Sequence, residues 1–217
     1  IVYDCGSGNR KKTPKRLERQ IASYYKEEDV IDILFISHFD NDHINGINEL
    51  KKHTSMIRSI IVPLIEQDDF WFYSIENNEF ERFYNSLTVL ANSVYKIKPA
   101  GEDDKYYRLN DIGLIDLLES EKGSFEVHNA TKFSLGRSID WCYIPFNYDK
   151  KIRLNILKNE LVKNGISERE LTSGWDVIEH HIDNIKKAYK KVVADGANKT
   201  SLILYSGGVI GEYKCWQ

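Results

Sequence analysis

The sequence predicts an α/β domain in which buried strands alternate with amphipathic helices. The stretches "VIDILFIS" at 30–37 and "MIRSIIVP" at 56–63 are almost uninterrupted runs of apolar, largely β-branched residues. Such runs are typical of strands that are buried on both faces. The segment 13–28 precedes the first of these strands and places Leu17 and Ile21 at helical spacing, which predicts an amphipathic helix.

The same periodicities assign the remaining elements. Residues 1–4 form the end of a buried strand, and a glycine-containing turn follows it. We expect helices at 44–52, 79–96, 111–119 and 150–163, one or two more helices at 167–195, one or two strands at 131–147, and a last strand at 200–206.

The length of 217 residues fits one domain over 1–217, because a single core can grow to this size before a chain splits. We expect this domain to be incomplete at both ends, since the sequence opens on "IVYDCGSGN" without Met and closes shortly after a strand and a glycine turn. The helical block at 150–195 is a candidate insertion or cap.

Charge and hydropathy bound the classes of partner. The net charge of −3 excludes a generally basic surface, although a local basic patch or a bound metal can still meet nucleic acid. No run approaches the roughly 18 apolar residues that a membrane span requires, so we expect none. The sequence carries no signal for an oligomeric state.

The three cysteines indicate the compartment. They are widely spaced and lack CxxC pairing, which argues against both a disulfide framework and a structural zinc site. A reducing, cytoplasmic location is the expectation that follows.

The stretch "SHFDNDHINGI" at 37–47 places His38, Asp40, Asp42 and His43 directly after a buried strand. Side chains at alternate positions point to the same side, so the first three can converge while His43 approaches from the turn. Four such groups in six residues would repel one another if they were solvated loop residues without a partner, and a metal ion removes that repulsion. The pattern therefore favours a metal site. Imidazole suits zinc and manganese, and the added carboxylates shift the preference toward Mn²⁺ or Mg²⁺.

This stretch resembles the HxHxDH signature of metallo-β-lactamase-fold hydrolases, in the variant with Asp at the second His position. That variant is similar to the hydrolase domain of bacterial competence (DNA-uptake) proteins, where "SHxDxDHxGG" follows a strand. "IVYDCGSG" and "NKTSLILYSGG" also resemble strands of the family. The resemblance implies a four-layer αβ/βα sandwich, with two mixed sheets face to face, helices outside and metals at one edge.

The resemblance also implies roles for single residues. His38 and Asp40 would hold a first divalent ion, and Asp42 and His43 a second. Asp4 would orient the ligand loop. Asn198 and Ser201 would approach from the neighbouring strand and either support the ligands or contact substrate. The family's usual bridging Asp of a "TGD" motif and its late His are not visible, so they are expected beyond Gln217, or else the protein does not catalyse.

A complete site of this kind predicts hydrolysis of a phosphodiester by a metal-activated water. The expected substrate is nucleic acid or a small phosphodiester, and nuclease activity is the leading hypothesis. Asp42 is the expected catalytic residue, because it can hold the attacking water and accept its proton. Two alternatives stay open. One is hydrolysis of a small ester, lactone, lactam or cyclic nucleotide, and the other is a binding module that keeps the fold without catalysis.

Other histidines and a basic run have structural alternatives to a functional role. His180 and His181 are adjacent on a helix and point about 100° apart, so both cannot easily serve one ion. His128 is an alternative third imidazole for the first metal. The last group is a basic run that either forms a solvated helix face or holds a nucleic-acid backbone: Arg10, Lys11, Lys12, Lys15, Arg16 and Arg19.

Overall fold

The structure of the protein is a computed structural model. It describes residues 1–8, 12–74, 77–100, 111–113, 122–134, 141–147, 151–171, 173, 179–192 and 202–208.

Within these ranges the strands follow the apolar and alternating stretches of the sequence. They are β1 Val2–Tyr3, β2 Val30–Phe35, β3 Met56–Pro63, β4 Ser93–Ile97, β5 Asp111–Gly113, β6 Gly123–Val127, β7 Lys132–Ser134, β8 Trp141–Phe146 and β9 Ile203–Gly208.

The helices of the described residues lie between these strands and in one block before β9. They are α1 Lys15–Tyr24, α2 Asn41–Ile44, α3 Ile47–Lys52, a 3₁₀ turn at Gln67–Asp69, α4 Phe70–Ser74, α5 Phe80–Asn85, α6 Leu87–Leu90, α7 Lys151–Lys163, α8 Glu168–Leu171 and α9 Ile182–Val192.

The strands form two sheets. The first has the order β1-β2-β3-β4-β6, and every pairing in it is parallel. The second has the order β5-β7-β8-β9, with β5 parallel to β7 and the other pairs antiparallel. The α/β class is therefore confirmed. The expectation of two mixed sheets is wrong for the described part of the first sheet, because each of its early strands is followed by helices that return the chain to the same end.

Alternate residues of the first sheet face two different layers. Phe35, Ile61 and Tyr95 lie side by side on β2, β3 and β4, and they pack against Phe133 and Leu202 of the second sheet's side. All five side chains are buried. The two sheets thus lie face to face over a shared apolar core.

The opposite face of the first sheet is covered by helices. Leu34, Ile60 and Val94 are the next residues along the same register, and they pack with Leu50 of α3 and Phe80 of α5. Burial of each such side chain contributes about 1.5–3 kcal/mol, so this layer fixes α3 and α5 on the sheet. The helix positions follow from this alternation.

The helices of the block at 150–195 share a third apolar cluster. Leu157 of α7, Leu171 of α8 and Ile185 of α9 pack with Trp71 and Phe72 of α4. The block therefore rests on α4 through buried aromatic rings. Its role as an insertion or cap stays a prediction.

Three local predictions differ from the structure. The helix expected over 79–96 ends at Leu90, and Ser93–Ile97 is instead the buried strand β4 between β3 and β6. Asp111–Gly113 is a strand where 111–119 was expected to be helical, and residues 114–119 lie outside the described part. The single helix expected at 44–52 is divided between two helices. Ile44 is the last residue of α2, which begins at Asn41, and Ile47–Lys52 forms α3.

None of the helices in the described ranges combines the length and the apolar character that a bilayer crossing requires.

Candidate metal centre

The candidate site lies where two neighbouring parallel strands end. Asp4 directly follows β1, and Ser37 and His38 follow β2, its hydrogen-bonded neighbour. Because parallel strands place their carboxyl ends at one edge of a sheet, residues far apart in sequence meet there. The sheet thus brings the amino-terminal aspartate beside the predicted metal loop.

Asp4 is held in an uncommon backbone conformation. Its φ of +53° lies in the left-handed region, which Asp and Asn adopt more readily than other side chains. Its N–H donates to the carbonyl of Phe35 at 2.9 Å, which ties the bend to β2. The bend directs the chain from β1 toward the metal loop.

The Asp4 carboxylate accepts three hydrogen bonds from the metal loop. Its Oδ1 accepts the backbone N–H of Ser37 at 2.7 Å, and its Oδ2 accepts the Ser37 hydroxyl at 2.6 Å. The same Oδ2 lies 2.8 Å from Nδ1 of His43. One carboxylate therefore links both ends of this stretch, and the role of Asp4 in orienting ligands stays a prediction.

This network assigns the tautomers of both imidazoles. Because Asp4 can only accept, Nδ1 of His43 carries the proton. The Ser37 hydroxyl donates its one proton to Asp4, so at 2.9 Å it accepts from Nδ1 of His38. Both histidines are thus left with a lone pair on Nε2, the atom that a metal ion needs.

The Nε2 atoms face carboxylates at ligand spacing. Nε2 of His38 lies 3.4 Å from Oδ2 of Asp40, and Nε2 of His43 lies 3.7 Å from Oδ2 of Asp42. Both distances exceed the usual range for a hydrogen bond. Two ligand atoms at about 2.1 Å from one tetrahedral ion lie roughly 3.4 Å apart, so the spacing fits shared coordination better than direct pairing.

Three of the four predicted ligands form one group, to which Asp40 does not belong. Within the described residues, His38, Asp42 and His43 form a group whose ligand atoms all lie within 4.8 Å of one another. The two imidazole rings are 3.7 Å apart between centroids. His38 is buried, whereas Asp40, Asp42 and His43 are partly exposed. This donor set of imidazole and carboxylate fits a divalent cation that solvent or substrate can reach.

Asp42 and His43 approach His38 because they lie in a short helix, and not because side chains alternate along an extended strand. Asp40 is the residue before α2 and has an extended backbone, and its carbonyl accepts the N–H of His43 at 2.9 Å. Asp42 and His43 lie inside this four-residue helix rather than in an open loop. The helix turns both side chains back toward His38.

Two glycines allow the first turn to pack against α2. A Cβ on Gly6 would lie 2.4 Å from the carbonyl oxygen of Asp42, and one on Gly46 would lie 2.9 Å from the carbonyl oxygen of Cys5. The backbones are also hydrogen bonded, since Cys5 N–H donates to His43 at 2.8 Å and Gly46 N–H donates to Cys5 at 2.8 Å. Any larger residue at position 6 would have to displace the ligand helix.

Cys5 lies under the site as an inert thiol. Burial, and secondarily the negative charge of Asp4, raises the pKa of Cys5 from 9.0 to about 11. Cys5 and Cys142 are buried, and neither forms a disulfide within the described ranges. A protonated thiol is a poor metal ligand, so Cys5 supports the site by packing.

The other predicted residues have different outcomes. Asn198 and Ser201 lie outside the described residues, but Leu202, the next residue, donates its N–H to the carbonyl of Ser37 at 2.7 Å.

His128 is exposed at the end of β6, three strands away from β2, or about 14 Å across the sheet. Nε2 of His181 lies 3.8 Å from Oε1 of Glu170 in the helical block. Neither histidine belongs to the group formed by His38, Asp42 and His43.

Two contributors were missed from the sequence. Ser37 sets the tautomer of His38, and its position between a buried strand and a candidate ligand was the available signal. Gly6 was read only as a turn residue. Its close approach to Asp42 depends on tertiary packing, which local patterns do not reveal.

The family comparison agrees with this geometry. The model of the metallo-beta-lactamase superfamily matches residues 1–128, more than half of the 217-residue chain. A search of curated proteins and a search of solved structures find no match. The matched range contains Asp4, the four candidate ligands and the five described strands of the first sheet. The chain belongs to the metallo-beta-lactamase superfamily, whose members are mostly metal-dependent hydrolases.

Proposed function

We propose that this protein is a phosphodiesterase that cleaves nucleic acid with two divalent cations, Zn²⁺ or Mn²⁺, with Mg²⁺ as a further candidate. His38 and Asp40 would hold one cation, and Asp42 and His43 the other. The paired spacings of 3.4 Å and 3.7 Å support this division. Cations bound there would supply Lewis-acid chemistry, lowering the pKa of a water molecule and offsetting charge on phosphoryl oxygens.

The chain's own residues supply positioning and proton transfer. Asp4 and Ser37 hold the imidazoles in the tautomer that presents Nε2. The side chain of Asp42 is 43% exposed, the most accessible of the four predicted ligands. That exposure lets its carboxylate hold an attacking water and accept a proton from it.

One set of hydrogen bonds favours an anionic polymer as the substrate. These bonds tether α2, here called the metal helix, to the basic segment around Lys12 and the start of α1. Asn45, the residue that ends α2, accepts the N–H of Ser7 at 3.1 Å through Oδ1 and donates from Nδ2 to the carbonyls of Ser7 and Gly8, each at 3.2 Å. The hydroxyl of Thr13 donates to the carbonyl of Asn45. The start of α1 is therefore fixed beside α2.

This tether brings positive charge to the end of α2. Lys12 directly precedes Thr13, and Lys15, Arg16 and Arg19 are exposed on α1. Cationic side chains beside a metal centre attract the phosphate backbone through counterion release. The likeness of "SHFDNDHINGI" to the competence-type hydrolase domain points to the same substrate class.

The test is a substrate panel on metal-loaded protein. Single-stranded and duplex DNA and RNA, bis-p-nitrophenyl phosphate, a chromogenic β-lactam and a lactone are each incubated with the Zn²⁺, Mn²⁺ or Mg²⁺ form. We expect cleavage of nucleic acid and of the chromogenic diester, and a large loss of rate in Asp42→Asn. Cleavage of the lactam or lactone alone would support the small-substrate alternative, and cleavage of nothing would support a binding module. Full activity of metal-bound Asp42→Asn would remove Asp42 from its catalytic role.

A further inference from the structure

A polar cavity lies on the other side of the metal helix. It has a volume of about 350 Å³, at the lower end of the range for small-molecule sites. Its wall comes from four parts of the chain, namely α1 with the segment before it, α2 with the residue after it, α3, and α5 with the segment that leads into it. Its lining includes Lys12, Asn41, Asn45, Asn48, Asn77 and Phe83.

The cavity and the metal centre share α2. Asn41 and Asn45 are four positions apart and lie on one face of this helix, which lines the cavity. Asp42 and His43 point elsewhere on the same turn and belong to the metal group. An α-helix with its side chains is about 10–12 Å across, so a substrate bound at the metals can extend into the cavity.

Two of the cavity amides are fixed and two are available. Asn77 donates to the carbonyl of Phe39 at 3.1 Å and accepts the N–H of Glu79 at 3.1 Å, so its amide supports the wall. Asn45 is engaged by the tether to Ser7. Within the described part of the chain, the amides of Asn41 and Asn48 make no hydrogen bond, so each can offer a donor and an acceptor to a ligand.

The charges of the lining decide against a phosphate as the occupant. Glu49 is hydrogen bonded to Lys52 at 2.8 Å, and this bond, with the charge of Lys52, holds the pKa of Glu49 below its usual range. That pair is neutral as a unit. Among the remaining described residues of the lining, Glu18 and Glu79 then face one cation, Lys12. A slightly acidic cavity with free amides suits an uncharged polar group.

Phe83 adds an aromatic wall to these amides. Its ring is partly buried and lies 6.3 Å from Phe39, edge to face. A planar group with donors and acceptors on its edge matches this combination, because amides pair with the edges of bases and aromatic rings stack on their faces. Asn is the side chain that pairs with the two adjacent groups on the major-groove edge of adenine.

We propose that this cavity binds a nucleobase of the nucleic-acid chain whose phosphodiester lies at the metal centre. Asn41 and Asn48 hydrogen bond to the edge of the base, Phe83 lies against its face, and Lys12 meets a neighbouring phosphate at the mouth. This inference rests on the proposed function and specifies how that function selects its substrate.

The first experiment measures binding without metal. Fluorescence anisotropy compares a short labelled oligodeoxyadenylate with an abasic strand of equal length and charge. We expect the adenylate to bind at least about tenfold more tightly, since stacking of one base has that order of effect. Equal affinities would overturn the proposal, because the cavity would then take no base.

Matched variants place that preference in the cavity. Asn48→Ala removes an exposed amide, and Phe83→Leu keeps an apolar side chain but removes the ring. Each is expected to reduce the preference for adenylate several-fold. Asn92→Ala and Phe125→Leu, which lie outside the cavity, are the controls and should keep the wild-type preference. An unchanged preference in both cavity variants would overturn the assignment.

A kinetic comparison separates this proposal from the proposed function. In the metal-loaded protein, kcat/KM is measured for deoxyadenosine 5′-(p-nitrophenyl phosphate) and for bis-p-nitrophenyl phosphate. The ratio of the two should fall in Asn48→Ala and Phe83→Leu. If wild-type protein hydrolyses neither ester, the proposed function fails, and the binding result still decides the cavity. If it hydrolyses both with an unaltered ratio in the variants, the cavity assignment fails alone.

A fluorescence measurement on the wild-type protein tests the proposal even if a cavity variant does not fold. A 2-aminopurine in place of one adenine loses fluorescence when its ring stacks, so binding to wild-type protein should quench it. Unquenched fluorescence in the bound strand would contradict the contact with Phe83.

Discussion

Oδ2 of Asp4 lies 2.8 Å from Nδ1 of His43, although the two residues are 39 positions apart in the chain. The contact exists because β1 and β2 are parallel neighbours that end at the same edge. It makes the geometry of a candidate metal ligand, His43, depend on a residue that follows a different strand.

Replacing Asp4 by Asn tests this dependence. Asn tolerates the left-handed backbone at this position, so the bend is kept, but its amide cannot accept from Ser37 and His43 as the carboxylate does. Loss of such a supporting contact typically lowers metal affinity about 10–100-fold. Competition titration with a chromophoric chelator measures the change.

The control for this variant is Asp32→Asn. Asp32 pairs with Arg58 on β3, outside the metal group, so its substitution removes a charge and an ion pair without touching the site. An affinity loss of equal size in both variants would show that the Asp4 contact has no special role.

Gly6→Ala is expected to disturb the ligand helix from beneath. The added methyl would lie 2.4 Å from the carbonyl oxygen of Asp42 and 2.5 Å from its carbonyl carbon, and both are backbone atoms. Overpacking of this kind costs about 1–3 kcal/mol of stability. Thermal unfolding with and without Zn²⁺ should show both a lower Tm and a smaller stabilisation by the metal.

Gly123→Ala provides the comparison for Gly6→Ala. Among the described residues, its added methyl meets the Phe125 side chain at 3.4 Å, an ordinary contact. This variant should bind metal like the wild type. Wild-type metal stabilisation in Gly6→Ala would mean that α2 can move without loss of the site.

The buried thiol of Cys5 gives a pH dependence with a defined sign. Its pKa is raised from 9.0 to about 11, chiefly by burial, so the folded protein keeps a proton that the unfolded chain releases. This contribution to the free energy of unfolding is fully present below about pH 9 and is lost as the pH rises toward 11.

Denaturant unfolding of the metal-free protein at pH 8 to 11 measures this loss. Wild-type stability should fall more steeply over that interval than the stability of Cys5→Ala, because the difference between them isolates the thiol. Parallel slopes would contradict a buried, protonated Cys5.

The basic segment predicts the salt dependence of nucleic-acid binding. Affinity for a single strand should fall with salt concentration, and Lys12→Ala should reduce the slope of log K against log salt by about 0.7 if Lys12 contacts one phosphate. Lys98→Ala is the control, because Lys98 lies beside Glu126 on the far edge of the first sheet. Equal slopes for wild type and Lys12→Ala would separate the basic segment from the substrate path.

The parts of the fold that the sequence predicted best are those decided by local chemistry. The strands at 30–37 and 56–63 were recognisable because long β-branched runs have no other common use, and the structure has them at Val30–Phe35 and Met56–Pro63. β4 was missed because Leu87, Leu90 and Val94 continue a helical spacing across the real end of α6. Periodicity alone could not register that change.

The residues of the candidate site also differ in how far the local sequence predicts them. The four candidate ligands were predicted from their residue types and spacing in one short stretch. The roles of Ser37 and Gly6 and the cavity beside α2 depend on contacts between segments that are distant in sequence. The pairing of β1 with β2 and the hydrogen bond from Thr13 to Asn45 are two of those contacts.

The most direct test of the account is the metal content of purified, metal-replete protein, measured by elemental analysis after removal of loosely bound ions. We expect divalent cations bound by the wild type and lost in His38→Ala/His43→Ala, with His180→Ala/His181→Ala retaining the wild-type amount. Wild-type protein without bound metal, or an unchanged content in His38→Ala/His43→Ala, would contradict a metal centre at α2.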